Sequence, residues 1–319
     1  MQLIKHKIIK KLVWTFVILF ILMNVIAIFH SYKFTHFAES KSEKTKTPAK
    51  LSTIEKISTI LFGVNNPKPI NKKKPSITFE TIYIQSNKEI ECWDIKTSHS
   101  KGTIILFHGY GGNKSSMLDK AEVFRDLGFN TFLVDFMGSG GSEGNQTTIG
   151  FLEAEQVKSS YEYVKQIGEK NIFLFGTSMG AVAIMKAISD FEIKPKGIII
   201  ECPFGSMYKT VGARFESMNV PTFPMAGLLV FWGGIQNGFW GFGHNSTDYS
   251  KNITIPTLLM HGKIDKKVSL EEIDEIFLNL KGQKELKIYE NAGHENYLIK
   301  YKDEWTHDIS EFLSKKLQP

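Results

Sequence analysis

Residues 171–188 read NIFLFGTSMGAVAIMKAI, and this stretch decides the fold. An apolar run of strand character enters the pentapeptide GTSMG at 176–180, and a run of helical character follows it directly. The pattern G-x-S-x-G between a strand and a helix is that of a nucleophile elbow, a tight turn that projects a serine hydroxyl. Glycines two residues before and after the serine allow the strand and the helix to cross closely. The pattern therefore predicts that Ser178 is a catalytic nucleophile.

A serine nucleophile needs a general base, and the chain offers one downstream. Two further apolar runs end in HGKID, which carries Asp265, and in AGHEN, which carries His294. The chain order Ser178, Asp265, His294 is the order found in sheets that carry such an elbow, and each residue follows a predicted strand. We predict that Asp265 orients His294 and that His294 takes the proton of Ser178. The weaker substitutes for the base and the carboxylate are Asp274, His261 and His307.

Two backbone N–H groups are expected to form an oxyanion hole beside this nucleophile. One belongs to Met179, which starts the predicted helix, where free N–H groups and the positive end of the helix dipole face the developing charge. The other belongs to Tyr110, in the glycine-rich segment HGYGG at 108–112 that follows a predicted strand. His108 in the same segment is interpreted as structural.

The chain from residue 79 onward has the pattern of an α/β fold. Alternating polar and apolar residues at 79–96 predict a β-hairpin, and five short apolar runs alternate with helical segments in the manner of buried parallel strands. Residues 203–250 break this alternation with a stretch rich in Gly, Phe and Trp, which we interpret as a cap inserted between two strands. A second membrane span and a cap that dips into the bilayer surface are the alternatives.

These pieces together resemble a known group of proteins. In order and spacing, HGYGG, DFMGSGGSEG, GTSMG, ECPF, HGKID and AGHEN resemble the α/β-hydrolase superfamily, in its serine aminopeptidase-like and monoacylglycerol-lipase-like branch. The resemblance covers residues 79–317. It implies a mostly parallel eight-stranded sheet with helices on both faces, a cap insertion, and a Ser178–His294–Asp265 triad without metal or organic cofactor. The chain departs from the branch at Met137, where an arginine is common.

The N-terminal residues 1–32 predict a membrane anchor. The run 12–29 contains no charged residue and spans most of a ~30 Å hydrocarbon core. Four lysines precede it and favour a cytoplasmic N-terminus with the catalytic domain outside the cytoplasm. A cleaved signal peptide is the main alternative, and a buried core helix is a weaker one. Residues 33–78 are rich in Ser, Thr, Lys and Pro and predict a stalk with one short helix after Ser52, which leaves 79–319 as the catalytic domain.

Charge and cysteine content argue against several classes of protein. The net charge is +6, but residues 1–78 carry +11 and leave −5 on the remainder, so a basic folded face for nucleic acid is not expected. Cys92 and Cys202 are too few for a disulfide framework and are expected to be buried thiols. The sequence contains no Walker loop, no H-E-x-x-H motif and no cysteine cluster, so no metal or cofactor is predicted.

The features combine into a prediction of function. We expect a membrane-anchored serine hydrolase that cleaves carboxylic esters through an acyl-enzyme. The apolar cap and the anchor favour a lipid-like acyl substrate. Peptide cleavage is less favoured, because residues 203–250 offer only Glu216 and Asp248 to bind a substrate amine. An acyltransferase with the same triad, and a retired hydrolase that only binds its ligand, are the remaining alternatives.

Overall fold

A computed structural model describes residues 2–45, 52–217 and 219–317. Its centre is one eight-stranded sheet with the strand order β1-β2-β4-β3-β5-β6-β7-β8. β1 and β2 form an antiparallel hairpin, β2 pairs antiparallel with β4, and the remaining neighbours are parallel. The strands are β1 (Glu80–Ile84), β2 (Ile90–Ile95), β3 (Thr103–Phe107), β4 (Asn130–Val134), β5 (Ile172–Thr177), β6 (Gly197–Glu201), β7 (Thr257–Gly262) and β8 (Lys284–Tyr289).

Helices cover both faces of this sheet. The α-helices are α1 (Gln2–Thr35), α2 (Thr53–Phe62), α3 (Leu118–Asp126), α4 (Glu153–Gln166), α5 (Met179–Phe191), α6 (Met207–Ser217), α7 (Met225–Gln236), α8 (Ser246–Tyr249), α9 (Leu270–Asn279), α10 (Tyr297–Lys300) and α11 (Lys302–Leu317). Side chains of α4, α5 and α9 pack on one face, and those of α3, α10 and α11 pack on the other. Every residue of β3, β6 and β7 is buried, which explains why their sequences are continuous apolar runs rather than alternating ones. The predicted α/β-hydrolase fold with a mostly parallel eight-stranded sheet is confirmed.

The cap lies between β6 and β7 and consists mainly of α6, α7 and α8. α7 is the apolar helix that raised the alternative of a second membrane span. It has 12 residues, which corresponds to a length of about 18 Å, too short for a hydrocarbon core of about 30 Å. Its apolar surface is instead covered in part by α1.

The N-terminal helix α1 is long and apolar enough to cross a membrane, as judged by its length and composition. Its C-terminal part packs against α7, where Ala27 is fully buried. The Trp232 indole N–H donates to Asn24 Oδ1 at 2.9 Å, and the Ser31 hydroxyl donates to Gln236 Oε1 at 2.9 Å. These contacts satisfy polar groups that would otherwise be costly in an apolar helix pair. The helix α1 is therefore joined to the cap.

The segment predicted as a stalk contacts the catalytic domain along its described parts. Phe37 is buried, and its backbone N–H donates to Asn145 O at 2.7 Å. The Lys68 ammonium donates to the carbonyl oxygens of Ser142 and Gly144. The short helix expected after Ser52 is α2, which begins with a capping box between that serine and Glu55, the third residue of the helix. Residues 46–51 of the predicted stalk lie outside the described residues, and the domain boundaries stay a prediction.

Candidate active site

Ser178 occupies the tight turn between β5 and α5. Its backbone has φ +53° and ψ −112°, a conformation that costs of order 1–3 kcal/mol for a residue with a side chain. The turn fits because its flanking residues are glycines. A Cβ on Gly176 would lie 2.6 Å from Gly180 C, and a Cβ on Gly180 would lie 2.3 Å from Phe107 O. Both clashes are with backbone atoms, so the G-x-S-x-G spacing is a steric requirement of this crossing.

The structure brings Ser178, His294 and Asp265 together at the carboxyl ends of three strands. His294 Nε2 lies 3.0 Å from Ser178 Oγ, and His294 Nδ1 lies 2.7 Å from Asp265 Oδ2. A carboxylate can only accept, so Nδ1 carries the proton and Nε2 is left to accept the serine hydroxyl. The other carboxylate oxygen of Asp265 accepts the backbone N–H groups of Lys267 and Val268. The ring is therefore oriented by its hydrogen bonds to Ser178 and Asp265, and Asp265 is itself held by two backbone N–H groups.

The charges around the imidazole favour its protonated form. Burial lowers the pKa of His294, but Cys202 and Asp265 outweigh burial and raise that pKa above its ordinary value. Burial raises the pKa of Asp265, but its hydrogen bonds from His294 and from the backbone hold that pKa below its ordinary value. A base whose conjugate acid is stabilised in this way is suited to take a proton from a serine hydroxyl.

The two N–H groups expected in the oxyanion hole lie on the loops that flank the nucleophile. Met179 is the first residue of α5. Tyr110 follows Gly109, at which a Cβ would lie 3.6 Å from Ser178 Cβ, so this loop borders the serine directly. Among the described residues, neither N–H donates to a backbone or side-chain acceptor. Both donors are therefore available to a ligand.

The other histidines and the substitute carboxylate have different surroundings. His108 is buried, its Nε2 accepts the Phe136 N–H at 3.1 Å, and its Nδ1 donates to Gly109 O, which fits its interpretation as structural. His261 is buried, and neither of its ring nitrogens has a hydrogen-bond partner among the described residues. Asp274 and His307 are exposed on α9 and α11. None of them hydrogen bonds to Ser178.

A buried polar network beneath the site was not predicted from the sequence. The Glu201 carboxylate accepts the Thr177 hydroxyl at 2.9 Å and the Trp305 indole N–H at 2.7 Å. Lys120 lies 3.8 Å from the same carboxylate and donates to Asn296 Oδ1, which caps α10 just after His294. The network thus links the strand that ends at Ser178 to the loop that carries His294. The only sequence signal for it was a glutamate at the end of an otherwise apolar strand.

Two further features of the site come from the structure alone. Cys202 is buried at the end of β6, and its sulfur lies with donor atoms of Asp265 and His294 in a group no more than 4.8 Å across. A thiophilic cation could bind there only in competition with the hydrogen bonds of the triad. In the loop that lacks the expected arginine, the fully buried Lys114 ammonium pairs with Asp135 and Glu91. Lys114 lies in a segment that precedes this loop in the chain, so the buried cation beside Asp135 does not come from the loop itself.

Comparisons with known proteins agree with this fold. The model of the family Hydrolase_4, serine aminopeptidase S33, matches residues 98–229, which include Tyr110 and Ser178. The uncharacterised protein YqkD of Bacillus subtilis is 26% identical over 230 residues, which is 69% of this chain and 75% of YqkD. A carboxylesterase of the same organism is 24% identical over 229 residues, which is 66% of this chain and 92% of that enzyme. The solved esterase Pf2001 of Pyrococcus furiosus has a TM-score of 0.68 at 23% identity and covers 79% of this chain and 97% of its own.

Proposed function

Because this chain belongs to the α/β-hydrolase superfamily, we propose that it is a serine hydrolase that cleaves carboxylic esters through Ser178, His294 and Asp265. One observation carries the proposal: Ser178 Oγ, His294 and Asp265 form a continuous hydrogen-bonded chain, with the serine held in a strained turn. The names of the relatives, a carboxylesterase and an esterase, support ester hydrolysis. No cofactor enters the proposal.

The proposed reaction uses each group once in each half. His294 Nε2 takes the proton of Ser178 as the serine oxygen bonds to the ester carbonyl carbon. The N–H groups of Tyr110 and Met179 donate to the resulting oxyanion. When the carbonyl re-forms, the bond to the alcohol oxygen breaks, and His294 returns the proton to that oxygen. Water then repeats the sequence on the acyl-enzyme, which releases the carboxylic acid and restores the serine hydroxyl.

The packing of the anchor against the cap supports a lipid-like substrate. α1 has exposed apolar side chains along its length, and α7 lies beside its C-terminal part. The cap adds large apolar residues that are exposed near α7: Phe223, Ile235, Trp240 and Phe242. We place this shared apolar surface in the bilayer, with the cap at its interface. An acyl chain would then enter from the membrane.

A peptidase is the second candidate, because the family whose model matches is described as a serine aminopeptidase. An aminopeptidase needs a carboxylate for the substrate amine. In the cap, Glu216 is exposed, and Asp248 already pairs with Lys251. Residues 108–112, which carry Tyr110, are called the oxyanion loop. The charged cap side chain that lies near this loop is instead a cation, Arg214. These surroundings favour an ester over a peptide with a free amine.

We further propose that α1 is a membrane anchor with its N-terminus in the cytoplasm and the catalytic domain outside. The lysines that precede the apolar run support this orientation. Protease added to intact cells should remove the catalytic domain from the anchor only if the domain is outside. Complete protection in intact cells, with digestion after lysis, would reverse the orientation.

Fluorophosphonate labelling of the full chain in detergent tests the proposed nucleophile. We expect the wild type and Ser314→Ala, a change of an exposed serine on α11, to be labelled, and Ser178→Ala and His294→Ala to be unlabelled. Hydrolysis of p-nitrophenyl esters of increasing chain length then tests the substrate, and a preference for long chains is expected. Strong preference for short soluble esters would overturn the lipid-like substrate. Folded wild-type protein that neither labels nor hydrolyses would indicate a binding protein.

A further inference from the structure

Arg214 is a cation of the cap that lies close to the oxyanion loop. Its guanidinium carbon lies 4.2 Å from the centre of the Phe34 ring and 5.9 Å from the centre of the Tyr110 ring. Within the part of the chain that the structure describes, the guanidinium has no carboxylate partner and no hydrogen-bond acceptor. Its side chain is half-buried, and burial lowers its pKa below the ordinary value. Its N–H donors therefore have no acceptor within the described part of the chain.

The surroundings of Arg214 hold it against the loop that borders Ser178. The Tyr110 hydroxyl donates to Phe34 O at 2.8 Å and accepts the Asn66 side-chain N–H at 3.3 Å. The rings of Phe34 and Tyr110 stack, with their centres 4.6 Å apart and an interplanar angle of 9°. Arg214 packs over this pair, and a Cβ on Gly109, the residue before Tyr110, would lie 3.6 Å from Ser178 Cβ. The guanidinium therefore lies against a side chain of the loop that borders Ser178.

The residue type is informative at this position. The chain contains 39 lysines and arginines, of which only Arg125 and Arg214 are arginines. Almost every cationic side chain of this protein is therefore a lysine, so an arginine at this position is unusual. A guanidinium differs from an ammonium in two ways that matter: it stacks on aromatic rings, and it presents paired N–H donors to a carboxylate or phosphate. The first property is already used on Phe34. The second is open, and an unpaired cation that is partly withdrawn from water gains most from an anion.

We propose that Arg214 binds an anionic group, a phosphate or a carboxylate, on the ester substrate held at Ser178. This inference rests on the proposed ester hydrolysis and adds the charge of the substrate to it. Stacking on Phe34 and Tyr110 fixes the plane of the guanidinium, so its free edge is oriented before the substrate arrives. The substrate class is an acyl ester that carries a negative charge near the scissile bond.

The anion has two sources in such substrates, a lipid headgroup phosphate on the alcohol side or a carboxylate at the end of the acyl chain. Phe34 belongs to α1 just beyond its apolar run, so Arg214 stands on the part of the molecule that emerges from the proposed bilayer. Lipid phosphates lie at that level. The headgroup phosphate is therefore the source that the anchor favours.

Two matched substrate pairs test the charge and its source. Each pair differs by one anion: 1-oleoyl-glycerol 3-phosphate against 1-oleoyl-glycerol, and mono-p-nitrophenyl succinate against p-nitrophenyl butyrate. For the full chain in detergent, we expect Arg214→Gln to lower kcat/KM for the anionic member about 10- to 100-fold more than for the neutral member, mainly through KM. The effect should fall on the phosphate pair if the anion is a headgroup, and on the succinate pair if it is an acyl carboxylate. Arg214→Lys should lie between wild type and Arg214→Gln.

The control is Lys209→Gln, which removes an exposed cation of the same helix that pairs with Glu275, and it should leave both ratios unchanged. Equal losses on both members of each pair, or unchanged ratios in both pairs, would overturn the role of Arg214. A second measurement does not depend on turnover: binding of the same two glycerolipids to Ser178→Ala, with and without Arg214→Gln. If the phosphate adds affinity only when Arg214 is present, the anion site stands even where ester hydrolysis fails. If the wild type is labelled by fluorophosphonate and cleaves neutral esters, but Arg214→Gln changes neither kcat/KM ratio, only the anion site is contradicted.

Discussion

The sheet side and the cap side of the site are built in different ways. On the sheet side, Ser178 and Asp265 follow strands β5 and β7, whose residues are nearly all buried, His294 follows the half-buried strand β8, and the Glu201 network lies beneath them. On the cap side, Arg214 and α7 are held by ring stacking and by hydrogen bonds to α1, and large apolar residues remain exposed. On the sheet side, packing and hydrogen bonds hold the side chains in defined positions. The cap side leaves apolar surfaces exposed, which the proposed bilayer or a ligand would cover.

This contrast separates the side chains of the proposed reaction from those proposed to select the substrate. Substitutions on the sheet side should change the rate for every ester or the stability of the whole domain. Substitutions on the cap side should change which ester is used, or how firmly the cap is held against the anchor, with small effects on the reaction itself. The two kinds of effect can be measured separately.

The largest effect should come from Asp265→Asn. An asparagine can offer an N–H to His294, which favours the imidazole tautomer that cannot accept the serine proton, so we expect kcat to fall about 10³- to 10⁴-fold. The measurement is p-nitrophenyl butyrate hydrolysis by the full chain in detergent. Asp274→Asn, on the exposed face of α9, is the matched control and should keep kcat. A loss smaller than tenfold would remove Asp265 from the triad.

Glu201→Gln should have the next largest effect, on stability rather than on chemistry. The change leaves Lys120 without the carboxylate 3.8 Å away and weakens the bonds to Thr177 and Trp305, so the free energy of unfolding should fall by about 2–3 kcal/mol. Urea unfolding followed by tryptophan fluorescence measures it. Glu275→Gln, in a half-exposed pair with Lys209, should cost under about 0.5 kcal/mol. Equal costs for the two variants would show that the network does not stabilise the fold.

A smaller effect is expected where the cap meets the anchor. Trp232→Phe removes the indole N–H that donates to Asn24, and the coupling energy between these two residues should be about 0.5–1 kcal/mol. A double-mutant cycle with Asn24→Leu, read from thermal unfolding in detergent, isolates this term. Trp240→Phe, an exposed tryptophan of the cap, serves as the control. Additive effects of Trp232→Phe and Asn24→Leu would mean that the helices are not joined by this bond.

The smallest effect is a shift of the pH profile. Cys202 helps to raise the pKa of His294, so Cys202→Ala should lower that pKa and keep the imidazole in its basic form to lower pH. The acid limb of kcat/KM should move toward lower pH by less than about one unit. Cys92→Ala, which removes the other buried thiol, should leave the limb in place. Movement toward higher pH, or no movement, would contradict the assigned influence of Cys202.

The sequence predicted the sheet side far better than the cap side, and the reason is physical. Buried parallel strands require continuous apolar runs, and the turn at Ser178 requires glycines at 176 and 180, so both leave local signals. The approach of Asp265 and His294 then followed from the chain order. The contact between Trp232 and Asn24 joins residues 208 positions apart and has no local pattern.

Two other features were out of reach for the same reason. Lys114 pairs with Asp135 across 21 residues, a contact that only the folded loop reveals. The stacking of Arg214 on Phe34 depends on where the end of α1 meets the cap. The burial of Phe37 was likewise out of reach, because the Ser- and Lys-rich composition of residues 33–78 gives no sign of it.

If α1 anchors the chain in a membrane as proposed, its continuity from Gln2 to Thr35 sets the height of Ser178 above that membrane. Phe34, whose carbonyl holds Tyr110, lies five residues after the end of the apolar run at Phe29, which is about 8 Å of helix rise. One residue inserted between them would lift Phe34 by about 1.5 Å and turn it by about 100° away from Tyr110. The length of the helix is therefore tied to the geometry of the oxyanion loop, and a bilayer of different thickness would be met by tilting or by lipid adjustment rather than by sliding of the helix.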